Sequence, residues 1–364
     1  MLRKVCHVTS VHKPTDARIF ERECSSLTKC YDVTLIAPNV EDYEQNGVHV
    51  KGVRLPESRL KRHLSLNRVY KKMKEVDADI YHFHDPELMA LGLNMKKEGK
   101  KVIFDSHEDI PSQIKNKTYI PTRLLRSVIS SYYEFFEKKS LKQYDAVVSV
   151  TPEIVDRLKK INPNTIMLTN YPIYNDSNDN RTWEKKIGFA GLISRNWNLH
   201  HVLEAIKDMD VVFELAGPCY DCYLDELKTM PGWEKVNYHG VIKHQKVFDM
   251  LKSCSAGMAV STDKDPNINY KQGSIGVTKI FEYMLVGIPV IATNLYSWIP
   301  IIEGNKCGYC LDCNNVDQIR KAILDVLNHP DEAEQMGNHG KAVVKNKYCW
   351  QEQEKTLFDM YSQL

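Results

Sequence analysis

The feature that most constrains this chain is the regular alternation of short apolar stretches with amphipathic ones. Strand-like patterns in the first half of the chain occupy residues 5–10, 31–38, 78–85, 100–109 and 144–150. Helix-like patterns, with apolar residues three and four positions apart, lie between them at 16–27 and 86–97. This alternation predicts βαβ units, and therefore a parallel sheet that helices cover on both faces.

The alternation pauses in the polar, turn-rich stretch at residues 170–186 and then restarts. The later strand patterns are KIGFAG, DVVFELAG, KVNYHG, SAGMAVS and IPVIAT. Because 364 residues suit two domains of about 150 residues each, we predict an α/β chain with two Rossmann-like domains. We expect an N-terminal domain at 1–172 and a C-terminal domain at 173–345, facing each other across a cleft.

Composition favours a cytoplasmic protein. The chain has no apolar run of the roughly 18 residues that a membrane span needs, and no apolar signal-peptide segment precedes its first charges. Its 10 cysteines, without an export signal, indicate free thiols in a reducing compartment.

Charge is divided unevenly along the chain. Residues 1–172 carry a net charge of +7 and the remainder −5, and the segment Ser58–Lys74 contains seven Lys and Arg without an acidic residue. This segment is either a solvated helix face or a contact with an anionic membrane surface, which would make the protein peripheral at the membrane. We expect no nucleic-acid partner, because the sequence has no zinc finger, RNP motif or basic zipper.

A phosphate-binding pattern lies in GSIGVTKIFEYMLVGIPVIATN, residues 273–294. Lys279, in the first turn of the predicted helix, opposes the helix dipole, which is favourable only if an anion binds there. The helix N–H groups and the hydroxyls of Ser274 and Thr278 suit a diphosphate, and Glu282 suits the hydroxyls of a ribose. The alternative is a capped helix with a surface Lys–Glu pair. Neither a dinucleotide glycine pattern nor a P-loop is present, which disfavours nicotinamide and P-loop chemistry.

Further segments share a common pattern: CHVTSVHKPTDARIFERE, YHFHDPELMALGL, KKVIFDSHEDIP, KIGFAGLISRNWNLHHVLEAI, TKIFEYMLVGIPVIAT and NKYCWQEQEKTLFDMYSQL. In this order they resemble the landmarks of the family-4 retaining glycosyltransferases of the GT-B fold. The resemblance implies transfer of a sugar from a nucleotide-diphosphate donor to a saccharide or lipid-linked saccharide, as in surface polysaccharide or glycoconjugate biosynthesis. It also implies that a closing helix at 346–364 returns to the first domain.

The resemblance assigns roles to individual residues. The catalytic residues would be His107, facing the sugar, with Lys279 on the diphosphate and Glu282 on the ribose. The donor-binding residues would be Gly191, Arg195, Ser274, Gly276, Thr278, Lys279 and Glu282. The acceptor-side candidates would be Asp16, Arg18, Asp85 and Glu108. Cations and helix N–H groups would stabilise the leaving diphosphate, so we expect neither a metal nor another cofactor.

Two positions depart from the family pattern. The fuller motif has a glutamate eight residues before Glu282, where this chain has Ser274. The family often places Arg-Gly or Lys-Gly after its glycine loop, where this chain has Trp197-Asn198. The second departure leaves the phosphate role of Arg195 open, together with the preference for a donor sugar.

Other candidate ligands have structural interpretations. Asp77 and Asp79 precede a strand rather than ending one, His82 and His84 are expected to pack at a sheet end, and His7 in the core. The cysteine motifs lack the context of an iron–sulfur cluster or a redox site; they are Cys307, Cys310 and Cys313, and Cys219 and Cys222. Two functional alternatives stay open, a nucleotide-sugar epimerase of the same fold and a non-catalytic sugar-nucleotide-binding subunit.

Overall fold

The computed structural model describes residues 2–117, 120–175, 181–262 and 272–364. They form two compact units: unit 1 is Met1–Asn170 with Gln353–Leu364, and unit 2 is Tyr171–Glu352. Each unit is built on a mainly parallel sheet with connecting helices, so the predicted α/β class with two parallel-sheet domains is confirmed. The stretch that we predicted as a linker, residues 170–186, lies partly outside the described residues.

The sheet of unit 1 has eight strands in the order β3-β4-β2-β1-β5-β6-β7-β8. Their bounds are Lys4–Val8 (β1), Asp32–Pro38 (β2), Tyr43–Gln45 (β3), Val48–Val53 (β4), Ile80–Phe83 (β5), Lys101–Ser106 (β6), Ala146–Ser149 (β7) and Thr165–Met167 (β8). Within the described residues every pairing is parallel except that of β3 with β4. The strand order reverses between β1 and β5, and such sheets bind ligands outside the carboxyl ends of the strands at that point.

Helices connect these strands. The α-helices are Ser25–Leu27, Arg59–Leu64, Leu66–Val76, Met89–Lys97, Ile110–Asn116, Arg123–Leu141 and Pro152–Lys159. Ala17–Cys24 is a π-helix and Pro86–Leu88 a 3-10 turn. Asp16 begins the π-helix by accepting hydrogen bonds from the amides of Arg18 and Ile19. The helix Trp350–Ser362 closes the chain, and its part from Gln353 belongs to unit 1.

The described residues of unit 2 form a six-stranded parallel sheet in the order β11-β10-β9-β12-β13-β14. Its strands are Lys186–Ala190 (β9), Val212–Ala216 (β10), Val236–Tyr238 (β11), Ala256–Ala259 (β12), Val290–Thr293 (β13) and Gly308–Leu311 (β14). The α-helices are Leu199–Ile206, Tyr223–Lys228, His244–Lys252, Lys279–Val286, Ile299–Ile302, Val316–Asn328 and Pro330–Asn346, and the 3-10 turns are Arg195–Trp197 and Pro231–Lys235. Here the order reverses between β9 and β12.

The central strands β5, β7, β12 and β13 are buried at every position. Such complete burial is expected where helices cover both faces of a parallel sheet. No helix in the described ranges is long and apolar enough to cross a membrane.

Candidate functional site

The predicted donor residues meet where the strand order of unit 2 reverses. Gly191 follows β9 directly, and the helix Lys279–Val286 follows β12 after a loop whose residues 263–271 lie outside the described ranges. The helix ends at Gly287, which has a left-handed φ of 84°. Its first N–H groups, which lack partners within the helix, therefore start near the carboxyl edge of the sheet and can receive an anion.

Lys279 is buried rather than exposed. Its side chain is 9% exposed, and its ammonium lies 3.6 Å from the centre of the Trp197 ring and 5.0 Å from that of Phe189. In the described part of the chain the ammonium has these aromatic contacts but no hydrogen-bonded or ion-paired partner. Burial lowers the pKa of Lys279 to about 8, against a smaller raising effect of Glu282. The alternative of a surface Lys–Glu pair is therefore wrong.

Gly191 leaves the space that this ammonium occupies. Its φ is 141°, and a Cβ at this position would lie 3.0 Å from Lys279 Nζ. Behind it, a Cβ on Gly217 at the end of β10 would lie only 1.8 Å from the Gly191 carbonyl oxygen. Close approach therefore explains why both strands are followed by glycine.

The departure at Trp197-Asn198 has a structural explanation. Asn198 is buried and takes the left-handed conformation, with a φ of 36°, which glycine favours and asparagine tolerates. Trp197 places its ring against the Lys279 ammonium. An aromatic residue and an asparagine thus stand where the family often has a basic residue and a glycine.

Arg195 is placed differently from Lys279. Its side chain is 58% exposed and is ion-paired with Glu226 of the helix Tyr223–Lys228. Its guanidinium also lies 5.0 Å from the centre of the Tyr223 ring. The charge of Arg195 is therefore compensated within unit 2, and a phosphate would have to replace Glu226 to reach it.

Glu282 and the loop before the helix complete the predicted donor residues. The Glu282 side chain is 17% exposed, and its Oε1 lies 3.3 Å from His244 Nε2. The Ser274 hydroxyl oxygen accepts a hydrogen bond from the Gly276 amide at 3.1 Å. Thr278 occupies the N-cap position, and its hydroxyl makes no capping bond to this helix.

A cavity of about 420 Å³ lies at the equivalent position of unit 1, outside the carboxyl ends of β1, β5 and β6. Its lining includes Asp85, His107 and Glu108, which the sequence placed near the sugar and the acceptor. It also includes His12 and Glu87, which the sequence analysis missed. Their positions shortly after β1 and β5 were the signal that could have identified them.

Arg18, an acceptor-side candidate, is buried and does not face the cavity. It is 4% exposed, and its Nε and Nη2 donate to the two carboxylate oxygens of Asp105 at 2.7 and 3.0 Å. Burial alone would raise the pKa of Asp105, but Arg18 and His107 hold this pKa well below its usual value. Arg18 thus holds an ionised carboxylate in place, and its predicted contact with an acceptor is not what the structure supports.

His107 is oriented by the same carboxylate. Its Nε2 lies 2.9 Å from Asp105 Oδ2. Because an ionised carboxylate only accepts hydrogen bonds, neutral His107 carries its proton on Nε2 and keeps Nδ1 as an acceptor. The side chain is 19% exposed and lines the cavity, so it can accept a hydrogen bond from a sugar hydroxyl.

The remaining acceptor-side candidates differ in how far the chain already uses them. Asp16 lies 3.3 Å from His12 Nδ1, and Asp85 accepts from the Ser10 amide at 2.7 Å. Both carboxylates therefore stabilise the loop after β1. Glu108 is exposed at the cavity wall and is the candidate best placed to meet a ligand.

The other metal-like motifs are used in folding. Asp77 pairs with Lys100 at 2.6 Å, and Asp79 accepts from the Lys4 amide at 2.8 Å. All ten cysteines are free, and among the described residues none of them joins a ligand cluster.

His82 and His84 belong to a buried cluster at the carboxyl end of β5, in agreement with the expected packing at a sheet end, and His84 also lines the cavity. His7 on β1 is the register partner of His82 on β5, and the three imidazoles are at most 2% exposed. Glu23 of the π-helix joins them. Burial lowers the pKa of His84 to about 4, although Asp105 acts in the opposite direction, so this imidazole is neutral.

Two family models match the chain in succession. Residues 18–168 match the model described as Glycosyltransferase Family 4, and residues 172–343 match the one described as Glycosyl transferases group 1. The first range lies in unit 1 and the second in unit 2.

The chain is also similar to individual proteins. It is 22% identical over 192 residues to spore coat protein SA of Bacillus subtilis, covering 49% of this chain and about half, 48%, of that protein. It is 22% identical over 299 residues to the uncharacterized glycosyltransferase MJ1178 of Methanocaldococcus jannaschii, covering 75% and 80% of the two chains. The solved structure of Anabaena Alr3699/HepE in complex with UDP-glucose matches with a TM-score of 0.68 at 13% identity, covering 99% of this chain and 100% of that one.

Proposed function

The chain belongs to the family-4 glycosyltransferases of the GT-B fold, and we propose that it moves a sugar from a nucleoside diphosphate to a saccharide or lipid-linked saccharide with retention of the anomeric configuration. The observation that carries this proposal is the Lys279 ammonium, buried at the start of a helix and without a paired anion among the described residues. Burial of an uncompensated charge is unfavourable. A bound diphosphate would supply the missing anion.

The donor would bind along the start of the helix Lys279–Val286. Lys279 and the first N–H groups would bind the diphosphate, with hydroxyl donors from Ser274 and Thr278. Glu282 would accept from the ribose hydroxyls. The charge that develops on the leaving diphosphate would meet donors already in position, so the transfer step would need no metal. Because the HepE structure contains UDP-glucose, UDP is the first nucleotide to test.

The acceptor would bind in the cavity of unit 1. His107 and Glu108 would face its hydroxyl groups, and Arg59, which also lines the cavity, carries positive charge, whereas the charge of Arg62 is compensated by Glu87. This combination suits a sugar whose far end is attached to a phosphate. A lipid-linked saccharide has this chemistry.

We further propose that such an acceptor reaches the cavity from an anionic bilayer at the cytoplasmic face of a membrane. The helix Arg123–Leu141 buries polar side chains such as Ser130 and Glu137. It exposes a set of apolar ones by 38% to 76%: Leu124, Leu125, Val128, Ile129, Tyr132 and Phe135. Tyr133 and Phe136 of this helix pack against the core, but a surface helix normally buries its apolar face, so the second, exposed apolar face indicates an apolar partner.

Position and charge favour a bilayer as that partner. The short helix that starts at Arg59 adds Leu60 and Leu64, exposed by 72% and 77%. Arg59 lines the cavity, as do residues of the helix Ile110–Asn116, which packs against Arg123–Leu141. Apolar side chains interspersed with Lys and Arg are typical of helices that lie in an anionic interface.

The basic segment Ser58–Lys74 supplies less free charge than its sequence suggests. Three of its cations are already paired with carboxylates: Arg62 with Glu87, Lys72 with Glu75, and Lys74 with Glu98. Membrane binding should therefore depend on apolar insertion as well as on charge.

Product analysis tests the transferase proposal. A thermal-shift screen across UDP, GDP, dTDP and CMP first identifies the nucleotide, because ligand binding to the folded state raises its stability. The matching sugar nucleotides are then incubated with saccharide acceptors. A glycosylated acceptor with the donor's anomeric configuration supports the proposal. An epimerised donor sugar would identify an epimerase, and binding without turnover a non-catalytic subunit.

Sedimentation with vesicles tests the membrane proposal. The wild type should sediment with anionic vesicles, and the variant with Val128→Ser and Tyr132→Ser should bind more than about tenfold less, because each buried apolar side chain contributes about 1.5–3 kcal/mol. Tyr220→Ser, at an 85% exposed site in unit 2, is the matched control and should bind normally. A wild type that ignores vesicles and is dimeric by light scattering, with a monomeric double variant, would show that a second copy covers the exposed apolar face of Arg123–Leu141 instead.

A further inference from the structure

We propose that His7, Glu23, His82 and His84 bind one divalent transition-metal ion, with zinc as the expected occupant, in the interior of unit 1. Each residue offers one ligand atom, and these atoms all lie within 4.8 Å of one another. All four side chains are fully buried or nearly so. Three imidazoles and one carboxylate are a ligand set that zinc and its neighbours in the periodic table favour.

The spacing of the ligand atoms suits a single ion. His7 Nδ1 lies 2.9 Å from His84 Nε2. Glu23 Oε2 lies 3.8 Å from His7 Nδ1 and 3.9 Å from both His82 Nδ1 and His84 Nε2. In a tetrahedral zinc site with bonds of about 2.0–2.1 Å, ligand atoms are about 3.4 Å apart. Because no two ligand atoms are more than 4.8 Å apart, shifts of up to about 0.7 Å in each side chain would bring this set to that geometry.

Glu23 supplies the buried carboxyl group of this cluster. It is 0% exposed, and neither carboxylate oxygen has a hydrogen-bond partner in the part of the chain that the structure describes. Oε1 is 3.1 Å from Arg18 Nε, whereas Oε2 faces the three imidazole nitrogens. Arg18 also pairs with Asp105, so two buried carboxylates share one guanidinium. Burial raises the pKa of Glu23 well above its usual value, and a metal at Oε2 would supply the positive charge that an ionised carboxylate needs at this position.

Outer contacts would hold two of the imidazoles in the ligating orientation. His84 Nδ1 lies 3.4 Å from Asp105 Oδ2, and His7 Nε2 lies 3.2 Å from the Tyr361 hydroxyl. Metal-bound histidines commonly donate their second ring N–H to such an oxygen. The hydroxyl of Tyr361 also lies 2.9 Å from His82 Nδ1, and an ion bound through this nitrogen would replace that contact.

The ligands come from rigid elements of the fold. His7 and His82 are register partners on adjacent strands, and His84 lies two residues beyond His82 on the same face. Glu23 lies on the π-helix Ala17–Cys24, and the wide turns of π-helices are frequent at functional sites. The four ligands are at most 2% exposed, and only His84 among them lines the cavity, so we expect the ion to stabilise unit 1 rather than to act on the donor. The proposal revises the expectation that the chain binds no metal, but transfer itself can remain independent of added metal.

Metal analysis tests the site without nucleotide or acceptor, so its outcome does not depend on the proposed transferase activity. Untagged wild-type protein, purified without chelator, should contain about one zinc ion per chain by mass spectrometry. His7→Gln and Glu23→Gln should each lose most of it. His49→Gln, at an exposed histidine of β4 in the same unit, should retain it. Cobalt(II) bound in place of zinc should give the visible absorption of a tetrahedral ion in the wild type and in His49→Gln alone.

Two results would overturn the proposal. One is a metal-free wild type that, after refolding from denaturant with EDTA, has the same melting temperature and no cobalt spectrum when zinc or cobalt is added back. The other is a wild-type metal content that His7→Gln and Glu23→Gln leave unchanged. If either variant fails to fold, the refolding experiment on the wild type still decides.

Discussion

Replacing Lys279 with methionine should reveal two effects of the buried charge, one on stability and one on nucleotide binding, because methionine is unbranched, only one atom shorter, and uncharged. Burial lowers the pKa of Lys279 from 10.5 to about 8. At pH 7 the side chain is charged in both the folded and the unfolded chain, so this difference destabilises the fold by roughly 3 kcal/mol at about 1.4 kcal/mol per pKa unit. The contact with Trp197 offsets about 1–2 kcal/mol of it. We therefore expect Lys279→Met to raise the free energy of unfolding by about 1–2 kcal/mol.

The same substitution should weaken the binding of the nucleotide. A charge-assisted contact is worth about 1.5–3 kcal/mol, which corresponds to roughly a 10- to 150-fold loss of UDP affinity. Denaturant unfolding and titration calorimetry on the same samples measure both effects. Lys321→Met, at an exposed lysine of the helix Val316–Asn328, is the matched control, and we expect it to change neither quantity appreciably.

The two measurements can fail separately. A folded Lys279→Met variant that binds UDP as the wild type does would contradict the assignment of Lys279 to the diphosphate. A variant that binds UDP weakly but unfolds more easily than the wild type would contradict the argument from burial, while leaving the contact with the nucleotide in place.

Three further predictions concern the same site. Above pH 8 the free protein loses the Lys279 proton, so UDP affinity should fall by up to about tenfold per pH unit and be nearly constant between about pH 7 and 8, as calorimetry between about pH 7 and 9.5 would show. Trp197→Leu should move the onset of this fall to lower pH, because loss of the aromatic face disfavours the charged amine. The same titration measures that shift. Brief incubation with EDTA should leave the transfer rate within about twofold, whereas a large loss that Mg²⁺ restores would show that the transfer step uses a metal.

The sequence was sufficient for the fold class and for the helix that carries the predicted donor residues. Both could be predicted because the spacing of apolar residues along the sequence indicates which side chains face the core. The spacing of Ile280, Phe281 and Met284 predicted a helix, and these side chains are completely buried. The short run VIAT after Gly287 predicted a buried strand, and β13 is buried at every position.

Features that depend on partners distant in the sequence could not be predicted in this way. Arginine usually lies at the surface. Arg18 is buried because it pairs with the carboxylate of Asp105, which is 87 positions away in the sequence. His7 and His84 are 77 positions apart and meet only because β1 and β5 are neighbours. Periodicity likewise identifies the apolar face of Arg123–Leu141 but does not show that the rest of unit 1 leaves it uncovered.

A lysine that is proposed to bind phosphate must have its charge stabilised in the free protein without a nearby carboxylate, and Trp197 can provide this stabilisation. A carboxylate beside Lys279 would stabilise its charge before the donor binds, but it would then repel the diphosphate. An aromatic face stabilises the ammonium by about 0.5–2 kcal/mol without adding a negative charge, and the ammonium lies 3.6 Å from the Trp197 ring centre. Arg195 shows the opposite arrangement, because its pair with Glu226 must open before it can contact a phosphate. The donor would therefore meet one cation that is already desolvated, in surroundings where a charge interaction is strong. On this argument, a tryptophan in place of the family's basic residue is compatible with tight donor binding.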